Sequence, residues 1–400
     1  MSAASASDLL DDNGFWNLTL LPVLHRMIED GRYSLERQAQ VLEFFRKSVG
    51  PSLGPEPQLN PVTGRRLPSW RSFVTDDFTP FEPSLTWSSL SPHPYVKFSI
   101  EAIPGIPGDG GAIGATSSVA HLLAQRHNMG IQFDLGAFNQ VASLLTCTAD
   151  CGILTSECLT GDTGPTQVMF GFDLGETTTQ TKAYFVPTIR AMETGRSKLD
   201  LIASTIQACG VGTAWEPIAE YIRSVQDADP FLLAMDCAPL DDARFKAYIR
   251  FPTANLDVIL RHASLGGRIS LSPKFVEAVR ALWECLPHDD ASTLEYRLRS
   301  QTSGGTPIYF SMKRDAPAKP KLYVPVRLLG SDDHQVAKAF EKWMTQIGNV
   351  EAGASYIQHL KKILPDKDIS CTTGCQTYIG ITAPNDQDIE CSVYLNPKVF

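Results

Sequence analysis

Two segments of the chain, TKAYFVP at residues 181–187 and RFKAYIRFP at residues 244–252, contain the same tripeptide Lys-Ala-Tyr inside an apolar and aromatic run. A third segment, KLYVPV at residues 321–326, again places a lysine two residues before a tyrosine. Short runs of this composition, bounded by turn residues, predict β-strands. Because side chains alternate between the two faces of a strand, the lysine and the tyrosine of each segment share one face.

Strands and helices alternate in groups along the chain. Strands are predicted at residues 94–103, 167–174, 181–188, 245–252, 266–272, 306–313, 321–328, 376–382 and 391–397. Helices are predicted, from apolar residues at three-to-four spacing, at residues 17–30, 34–49, 117–130, 138–147, 214–227, 272–286, 334–347 and 354–364. Pairs of strands joined by short turns are antiparallel hairpins. The order therefore predicts an α+β fold, in which one large antiparallel sheet closes around a central chamber and helices cover its outside.

The composition indicates an ordinary globular protein. Of the 400 residues, 43% are hydrophobic and 20% are charged, and the formal net charge is −9. A chain with this acidic balance is not expected to bind nucleic acid or an anionic membrane surface, and no apolar run has the length of a membrane span. The N-terminus lacks the basic and apolar regions of a signal peptide, and nine cysteines is an odd number. We therefore expect a cytoplasmic protein with free thiols.

The direction of the shared lysine and tyrosine face decides what the sheet encloses. A face turned to solvent would form a basic surface, which is the usual position of strand lysines. Here the intervening residues, such as Ala183 and Phe185, are apolar or small and can pack against helices. We therefore expect the chamber to contain a set of strand cations, tyrosines and one glutamine. The set is Lys97, Lys182, Tyr184, Arg244, Lys246, Tyr248, Lys321, Tyr323, Gln376 and Tyr378.

Buried cations and tyrosines together fit one kind of chemistry. Buried positive charges require an anion, and roughly four or five lysine or arginine heads suit a ligand of about three negative charges, such as a pyrophosphate. Aromatic faces stabilise a cation and keep water away from it. An allylic pyrophosphate that ionises needs both features: donors for the departing anion and aromatic walls around the carbocation.

The sequence favours a site without a metal ion. Many enzymes that use prenyl pyrophosphates bind Mg²⁺ through DDxxD, but no Asp-Asp pair of this chain has an aspartate at the fifth position. The pairs Cys147/Cys151 and Cys371/Cys375 lack the further ligands of a zinc site. The glycine-rich residues 105–116 lack the GK[ST] of a phosphate-binding loop and are interpreted as a mobile loop. We therefore expect no metal and no other cofactor.

Seven segments occur in a specific order along the chain. They are PFE (80–82), VKFSIEAI (96–103), TKAYFVP, RFKAYIRFP, KLYVPV, QTYIGI (376–381) and SVYLNP (392–397). In this set the chain resembles the fungal dimethylallyltryptophan synthase (DMATS) type of aromatic prenyltransferase, which has the αββα (ABBA) barrel. The resemblance implies one domain over residues 1–400, with the helices and loop of residues 1–70 packed on a barrel of about ten antiparallel strands. It also implies a transferase of secondary metabolism that moves a dimethylallyl group from dimethylallyl diphosphate to an electron-rich aromatic carbon.

The resemblance further implies a role for each residue that matches a family motif. The diphosphate would be bound by Lys97, Lys182, Arg244, Lys246 and Lys321, with Gln376 as a weaker candidate. The allyl cation would be shielded by Tyr184, Tyr248, Tyr323 and Tyr378. Glu82 would accept a hydrogen bond from the indole N–H or hydroxyl of the acceptor, which raises the electron density of the ring. The implied partners are two small molecules, dimethylallyl diphosphate and the aromatic acceptor. The protein itself would be a monomer or a homodimer.

Three departures from the family pattern matter: the first concerns the diphosphate site, and the other two concern the acceptor. Lys97 stands where the family usually has an arginine, so the paired hydrogen bonds that a guanidinium donates to the diphosphate are lost. Residues 167–174 contain Gln167 and Met169 but no lysine that could remove a ring proton. Residues 230–243 contain no arginine to hold the carboxylate of free tryptophan. We therefore expect an indole derivative or cyclic dipeptide rather than free tryptophan. The alternatives are a fused-ring phenol of the xanthone or naphthacenedione type, and a non-catalytic barrel that binds a ligand.

Overall fold

The computed structural model describes residues 14–103, 131–147, 166–287, 291–300 and 304–400. Within these ranges ten strands form one ring. In chain order they are β1 (Phe81–Ser88), β2 (Tyr95–Ile100), β3 (Val168–Leu174), β4 (Thr179–Phe185), β5 (Asp229–Asp236), β6 (Phe245–Phe251), β7 (Thr306–Lys313), β8 (Ala316–Val324), β9 (Gln376–Asn385) and β10 (Asp388–Leu395). The glycine-rich residues 105–116, the helix predicted at residues 117–130 and Cys151 lie outside the described residues.

Each strand of the ring pairs antiparallel with the next one along the chain, and β1 pairs with β10. Helices separate β4 from β5 in sequence, yet these strands also pair, with Lys182 opposite Asp236. The ring is therefore an up-and-down barrel in which all ten strands have two neighbours. This arrangement confirms the predicted closed antiparallel barrel. A two-residue strand, Ile131–Gln132, adds parallel to β4 outside the ring.

Helices surround the barrel. Those in the described ranges are α1 (Phe15–Asp30), α2 (Leu35–Phe44), α3 (Leu135–Leu145), α4 (Thr188–Thr194), α5 (Lys198–Ala208), α6 (Gly212–Arg223), α7 (Leu256–Ala263), α8 (Pro273–Cys285), α9 (Ala291–Ser300), α10 (Asp333–Gln346) and α11 (Val350–Ile363). Several begin at a serine whose hydroxyl accepts a backbone N–H of the first turn, as Ser34 and Ser272 do. The predicted helices at described residues correspond to α1, α2, α3, α6, α8, α10 and α11.

The barrel wall has two different faces. Its outward residues, among them Phe185, Ile249 and Leu322, are buried in one apolar core together with helix residues such as Phe340 and Trp343. The alternate residues point inward and form a second, smaller cluster of tyrosines and apolar side chains. The strand alternation therefore places apolar residues on the face that packs against the helices. It places the lysines and tyrosines on the face that lines the chamber.

The strand predicted at residues 266–272 is wrong, because these residues form the turn that joins α7 to α8. Leu265, Gly266 and Gly267 all have positive φ, which an extended strand does not allow. The strands β1 and β5 were not predicted. A proline interrupts β1, and β5 is a continuous apolar run that lacks clear alternation.

The N-terminal helices are tied to the barrel rim by polar contacts. The Tyr33 hydroxyl donates to the Leu174 carbonyl at 2.6 Å and accepts from the Val96 N–H at 2.9 Å. Arg37 donates to the carbonyls of Gly175 and Thr178. These bonds fix the turn between β3 and β4. Among the described helices, none is both long and apolar enough to span a bilayer.

Candidate active site

The chamber has two compartments arranged along the strands. The first, the cationic compartment, has a volume of about 730 Å³ and is lined by Lys97, Lys182, Arg244, Lys246 and Lys321. The second, the aromatic compartment, has a volume of about 360 Å³. Its walls include Glu82, Phe73, Met169, Phe231 and Tyr378. Along β6 the inward side chains pass from Lys246, through Tyr248, to Arg250, so one strand contributes to both compartments.

The lysines of the cationic compartment lie beside carboxylates that the sequence did not single out. Lys182 contacts Asp173 on β3. Lys97 Nζ lies 3.9 Å from Asp173 Oδ2 and 3.5 Å from Glu390 Oε1. Lys321 Nζ donates to the Ser392 hydroxyl at 2.8 Å. These contacts hold the ammonium groups at fixed positions around the cavity.

A second group of charges is centred on Asp236 at the end of β5. Lys246 Nζ donates to Asp236 Oδ1 at 2.8 Å, and Arg244 Nε donates to Oδ2 at 3.1 Å. The described lining contains six cationic side chains, the five named above and Arg32, and three carboxylates, which belong to Asp173, Glu176 and Glu390. Asp236 adds a fourth carboxylate next to this lining, so the formal excess is two positive charges. The compartment therefore favours an anionic ligand.

Burial and the local charges shift the lysine pKa values in different directions. Burial, together with nearby cations, lowers the pKa of Lys246 and of Lys321 to about 7 in each case. Burial also lowers the pKa of Lys182, despite its contact with Asp173. Burial acts in the same direction on Lys97, but Asp173 and Glu390 outweigh it and hold the Lys97 pKa well above its usual range. The cations thus differ in how firmly they keep a proton.

Two inward-facing glycines make room for these side chains. A Cβ at Gly171 on β3 would lie 2.8 Å from a ring carbon of Tyr184. A Cβ at Gly380 on β9 would lie 2.7 Å from Lys321 Cε. Both distances are shorter than carbon atoms tolerate, so the wall is bare at the points where the tyrosine ring and the lysine stem cross it.

A layer of tyrosines separates the compartments. Its members, here called the tyrosine layer, are Tyr184, Tyr248, Tyr309, Tyr323, Tyr378 and Tyr394. Four of these, Tyr184, Tyr248, Tyr323 and Tyr394, line both cavities. The Tyr248 and Tyr309 ring centroids are 5.1 Å apart, and the Tyr323 and Tyr394 centroids are 5.5 Å apart. The rings therefore form a continuous aromatic belt along the chamber wall, at the level where the two compartments meet.

Sequence reasoning missed two members of this layer. Tyr309 and Tyr394 occupy inward strand positions, like the four tyrosines that were predicted. No lysine precedes either of them by two residues, so the repeated spacing did not point to them. The usable signal was a tyrosine within the predicted strands at residues 181–188, 245–252, 306–313, 321–328, 376–382 and 391–397. Ser392, two residues before Tyr394, is the residue that accepts the hydrogen bond from Lys321.

Gln376 does not lie in the chamber. Its side-chain amide donates to the Asp333 carbonyl at 2.6 Å, and its Oε1 accepts from the Tyr356 hydroxyl at 2.8 Å. Both partners belong to the outer helices α10 and α11. The pairing of β9 with β10 is irregular between Gln376 and Tyr378, so the two residues do not share a face as the spacing predicted.

Glu82 lies on β1 and faces the aromatic compartment. Its Oε1 accepts a hydrogen bond from the Thr377 hydroxyl at 3.0 Å. Enclosure by protein, away from bulk water, raises the pKa of Glu82 to about 8, although the Thr377 bond opposes the shift. The carboxyl is therefore poised to change its charge near neutral pH, at a position that a ligand in the compartment would touch.

Residues 71–78 cover the aromatic compartment, and Glu101 holds this cover in place. Glu101 is buried and accepts hydrogen bonds from the Trp70 indole at 3.0 Å and from the Thr166 hydroxyl at 2.7 Å. The Thr166 hydroxyl in turn accepts from the Phe73 N–H at 3.1 Å. Glu101 lines neither compartment. Its contacts shape the wall that Phe73 contributes.

The two segments that depart from the family pattern both reach the aromatic compartment. Met169 lines it and pairs with Tyr184 in the sheet. Residues 230–243 contribute Phe231 and Leu232. The arginines near this compartment come from other parts of the chain. Arg71 and Arg250 line it, and the guanidinium carbon of Arg327 lies 4.3 Å from the centre of the Tyr378 ring. The compartment therefore combines aromatic walls with charges of both signs.

No group of three His, Cys, Asp or Glu residues is placed to hold a metal ion in the part of the chain that the structure describes. In and next to the cationic compartment, three carboxylates each lie within 4 Å of a lysine amine: those of Asp173, Asp236 and Glu390. The residues that face the cavity are therefore better suited to binding an anion through amines than to binding a cation.

Comparison with known proteins identifies the family. The model of the tryptophan dimethylallyltransferase family matches residues 12–359. The chain is 28% identical over 399 residues to 4-O-dimethylallyl-L-tyrosine synthase of Claviceps purpurea, covering 96% of this chain and 87% of that protein. It is 25% identical to xanthone prenyltransferase A of Emericella nidulans, with 96% and 91% coverage. The crystal structure of AnaPT from Neosartorya fischeri has the same fold, with a TM-score of 0.82, 19% identity and 97% and 95% coverage. The chain belongs to the tryptophan dimethylallyltransferase family.

Proposed function

We propose that this chain transfers a dimethylallyl group from dimethylallyl diphosphate to an aromatic acceptor without a metal ion. The observation that carries the proposal is the tyrosine layer, which lies between the cationic compartment and the aromatic compartment that contains Glu82. Family membership supports aromatic prenyl transfer. The absence of DDxxD supports binding of the diphosphate by lysine and arginine side chains alone.

The cationic compartment would bind the diphosphate and favour breakage of the allylic C–O bond. The electron pair of that bond leaves with the diphosphate, so negative charge develops on the leaving oxygen. Five cationic side chains already surround the cavity and can donate charge-assisted hydrogen bonds to the diphosphate. They are those of Lys97, Lys182, Arg244, Lys246 and Lys321. Little reorganisation is then needed when the charge develops.

The tyrosine layer would hold the dimethylallyl cation until the acceptor attacks. Each ring presents a negative quadrupole face, and a cation against such a face gains about 0.5–2 kcal/mol. The rings also keep water from capturing the carbocation. Because Tyr184, Tyr248, Tyr323 and Tyr394 line both cavities, an allyl group among them can face the acceptor while its diphosphate remains in the cationic compartment.

Glu82 would orient the acceptor from the far side of the tyrosine layer. A carboxylate that accepts a hydrogen bond from an indole N–H or a phenol O–H raises the electron density of the ring and stabilises the arenium intermediate. The ring then loses a proton, to the released diphosphate or to water, and so restores its aromaticity. Both an indole and a phenol fit this role, and the tyrosine in the name of one relative is a phenol.

The proposal is tested by incubating the protein with dimethylallyl diphosphate and an acceptor panel of L-tryptophan, L-tyrosine, a tryptophan-containing cyclic dipeptide and a hydroxyxanthone. We expect mass spectrometry to detect a product heavier by one dimethylallyl group, at a rate that EDTA leaves unchanged. Turnover that depends on added Mg²⁺ would contradict the metal-free site. Tight binding of the diphosphate with no product from any acceptor would favour a non-catalytic barrel.

The lysine pKa values predict that donor binding weakens with rising pH. Lys246 and Lys321, with pKa values of about 7, are charged below that pH and lose their charge above it. Since the diphosphate binds the charged forms, its KM is expected to rise by about tenfold or more between pH 7 and pH 9. Binding at pH 8 should therefore be accompanied by proton uptake, measured by calorimetry in two buffers of different ionisation enthalpy.

The unreactive thiolodiphosphate analogue of the donor is the appropriate ligand for this calorimetry, because it binds without turnover. The variant Lys321→Met serves as the control for protons that the ligand itself exchanges. It should take up fewer protons than the wild type. Equal proton uptake by the two proteins would show that Lys321 does not titrate on binding.

A further inference from the structure

Arg250 is a buried cation that the diphosphate site does not use. It follows Lys246 and Tyr248 on the inward face of β6 and lines the aromatic compartment. At a rise of about 3.3 Å per residue, it lies roughly 13 Å along the strand from Lys246. The tyrosine layer stands between them. A ligand of Arg250 is therefore a different group from the diphosphate.

The charge of Arg250 is only partly compensated by its neighbours. Its side chain is 11% exposed, and its buried Nε has no hydrogen-bond partner in the described structure. Its Nη1 lies 3.5 Å from Asp229 Oδ2, the outer limit of a hydrogen bond. Asp229 also contacts Lys198, so one carboxylate serves two cations. A buried guanidinium in this state favours the arrival of an anion.

The arginine is also held in position, which suits a binding role. Its guanidinium carbon lies 4.1 Å from the centre of the Phe231 ring, and Phe231 is itself part of the compartment wall. Its stem passes over Gly305, which has a φ of +100° and where a Cβ would lie 2.5 Å from Arg250 Cγ. Other groups that act on its charge are Arg327, Asp76 and Tyr378. The guanidinium group of Arg250 is therefore held in a fixed position by its packed aliphatic chain.

We propose that Arg250 binds a carboxylate of the acceptor, so that the acceptor is an aromatic amino acid or a related aromatic acid. This inference rests on the proposed function. The guanidinium fork matches a carboxylate in geometry and charge, and Arg250 shares its compartment with Glu82. The acceptor would then be held at two points: the ring N–H or O–H at Glu82 and the carboxylate at Arg250. This assignment departs from the preference for a cyclic dipeptide, because the arginine comes from β6 rather than from residues 230–243.

The test compares two acids, L-tyrosine and L-tryptophan, with their methyl esters, which keep the ring and remove the negative charge. For the wild type we expect kcat/KM to favour at least one acid over its ester by about 10- to 100-fold, the value of a charge-assisted hydrogen bond. Arg250→Gln should bring the ratio of kcat/KM for the acid to kcat/KM for the ester close to one, because the acid loses its binding partner and the ester never had it. The variant Lys198→Gln removes the other cation on Asp229 and should keep the preference.

The other outcomes distinguish a failure of the role given to Arg250 from a failure of the proposed function. If the wild type prenylates ester and acid equally well, or accepts only an uncharged phenol, the role of Arg250 is contradicted and prenyl transfer stands. If no acceptor is prenylated, the proposed function fails, and calorimetry with L-tyrosine and L-tryptophan decides the role of Arg250 by whether Arg250→Gln weakens their binding. Should Arg250→Gln fail to fold, Arg250→Lys retains the charge without the fork and is expected to show a reduced preference for the acid.

Discussion

Replacement of Lys182 by methionine is expected to lower kcat/KM for dimethylallyl diphosphate by about 10²- to 10³-fold, the cost of losing one preorganised donor to a developing anion. Methionine keeps most of the volume of the stem and removes the charge. Lys182 is 6% exposed and precedes Tyr184 on the inward face of β4, so its ammonium lies close to where the C–O bond breaks. Steady-state kinetics with the donor varied at saturating acceptor would measure the loss.

The control for this variant is Lys319→Met. Lys319 lies on β8 two residues before Lys321, but it is exposed and lines neither compartment. It should retain wild-type rates. In Lys182→Met the Asp173 carboxylate keeps Lys97 as a partner at 3.9 Å, so the fold is expected to survive. Turnover by Lys182→Met within about twofold of the Lys319→Met value would refute the anion site.

Replacement of Glu82 by alanine is expected to lower kcat by about 10²- to 10⁴-fold and to leave the affinity for the donor unchanged. The carboxyl touches only the aromatic compartment, so its loss should act on the acceptor step alone. Glu82→Gln keeps the shape and a hydrogen-bond acceptor but cannot become charged, and it should lose most of the rate as well. Donor affinity is measured by calorimetry with the thiolodiphosphate analogue.

The raised pKa of Glu82 gives this prediction a pH signature. A carboxyl with a pKa of about 8 is neutral below that pH and charged above it, so kcat should rise as the pH increases through 8. The rise should be absent in Glu82→Gln. Thr377→Val removes the hydrogen bond that favours the charged form, and should move the rise to higher pH. A wild-type kcat that is flat across this range would contradict a role for the Glu82 charge.

The inward direction of the lysines and tyrosines could be predicted because the alternation is local. Ala183 and Ala247 separate each lysine from its tyrosine, and both alanines are fully buried toward the helices. The same rule failed at Gln376, since an irregular pairing in β9 changes the face within two residues. It also failed at residues 266–272, where Ile269 and Leu271 imitate strand alternation but positive φ at Gly266 and Gly267 makes a turn.

The carboxylates of the cationic compartment could not be predicted in this way, because their positions depend on strand register. Asp236 is opposite Lys182 only when β4 and β5 pair, although 53 residues separate their sequence positions. Glu390 reaches Lys97 across β1, which was not recognised as a strand. Arg250 stood in a quoted segment, but its lack of a strong partner becomes visible only once Asp229 and Lys198 are in place.

A crystal structure with the thiolodiphosphate analogue and an aromatic amino acid would show whether the tyrosine layer divides the chamber into a diphosphate end and an acceptor end. We expect the diphosphate within hydrogen-bond distance of Lys182 and Lys246, and the acceptor ring beside Glu82 on the other side of the layer. A diphosphate bound beside Arg71 and Arg250, with the acceptor among the lysines, would contradict the account.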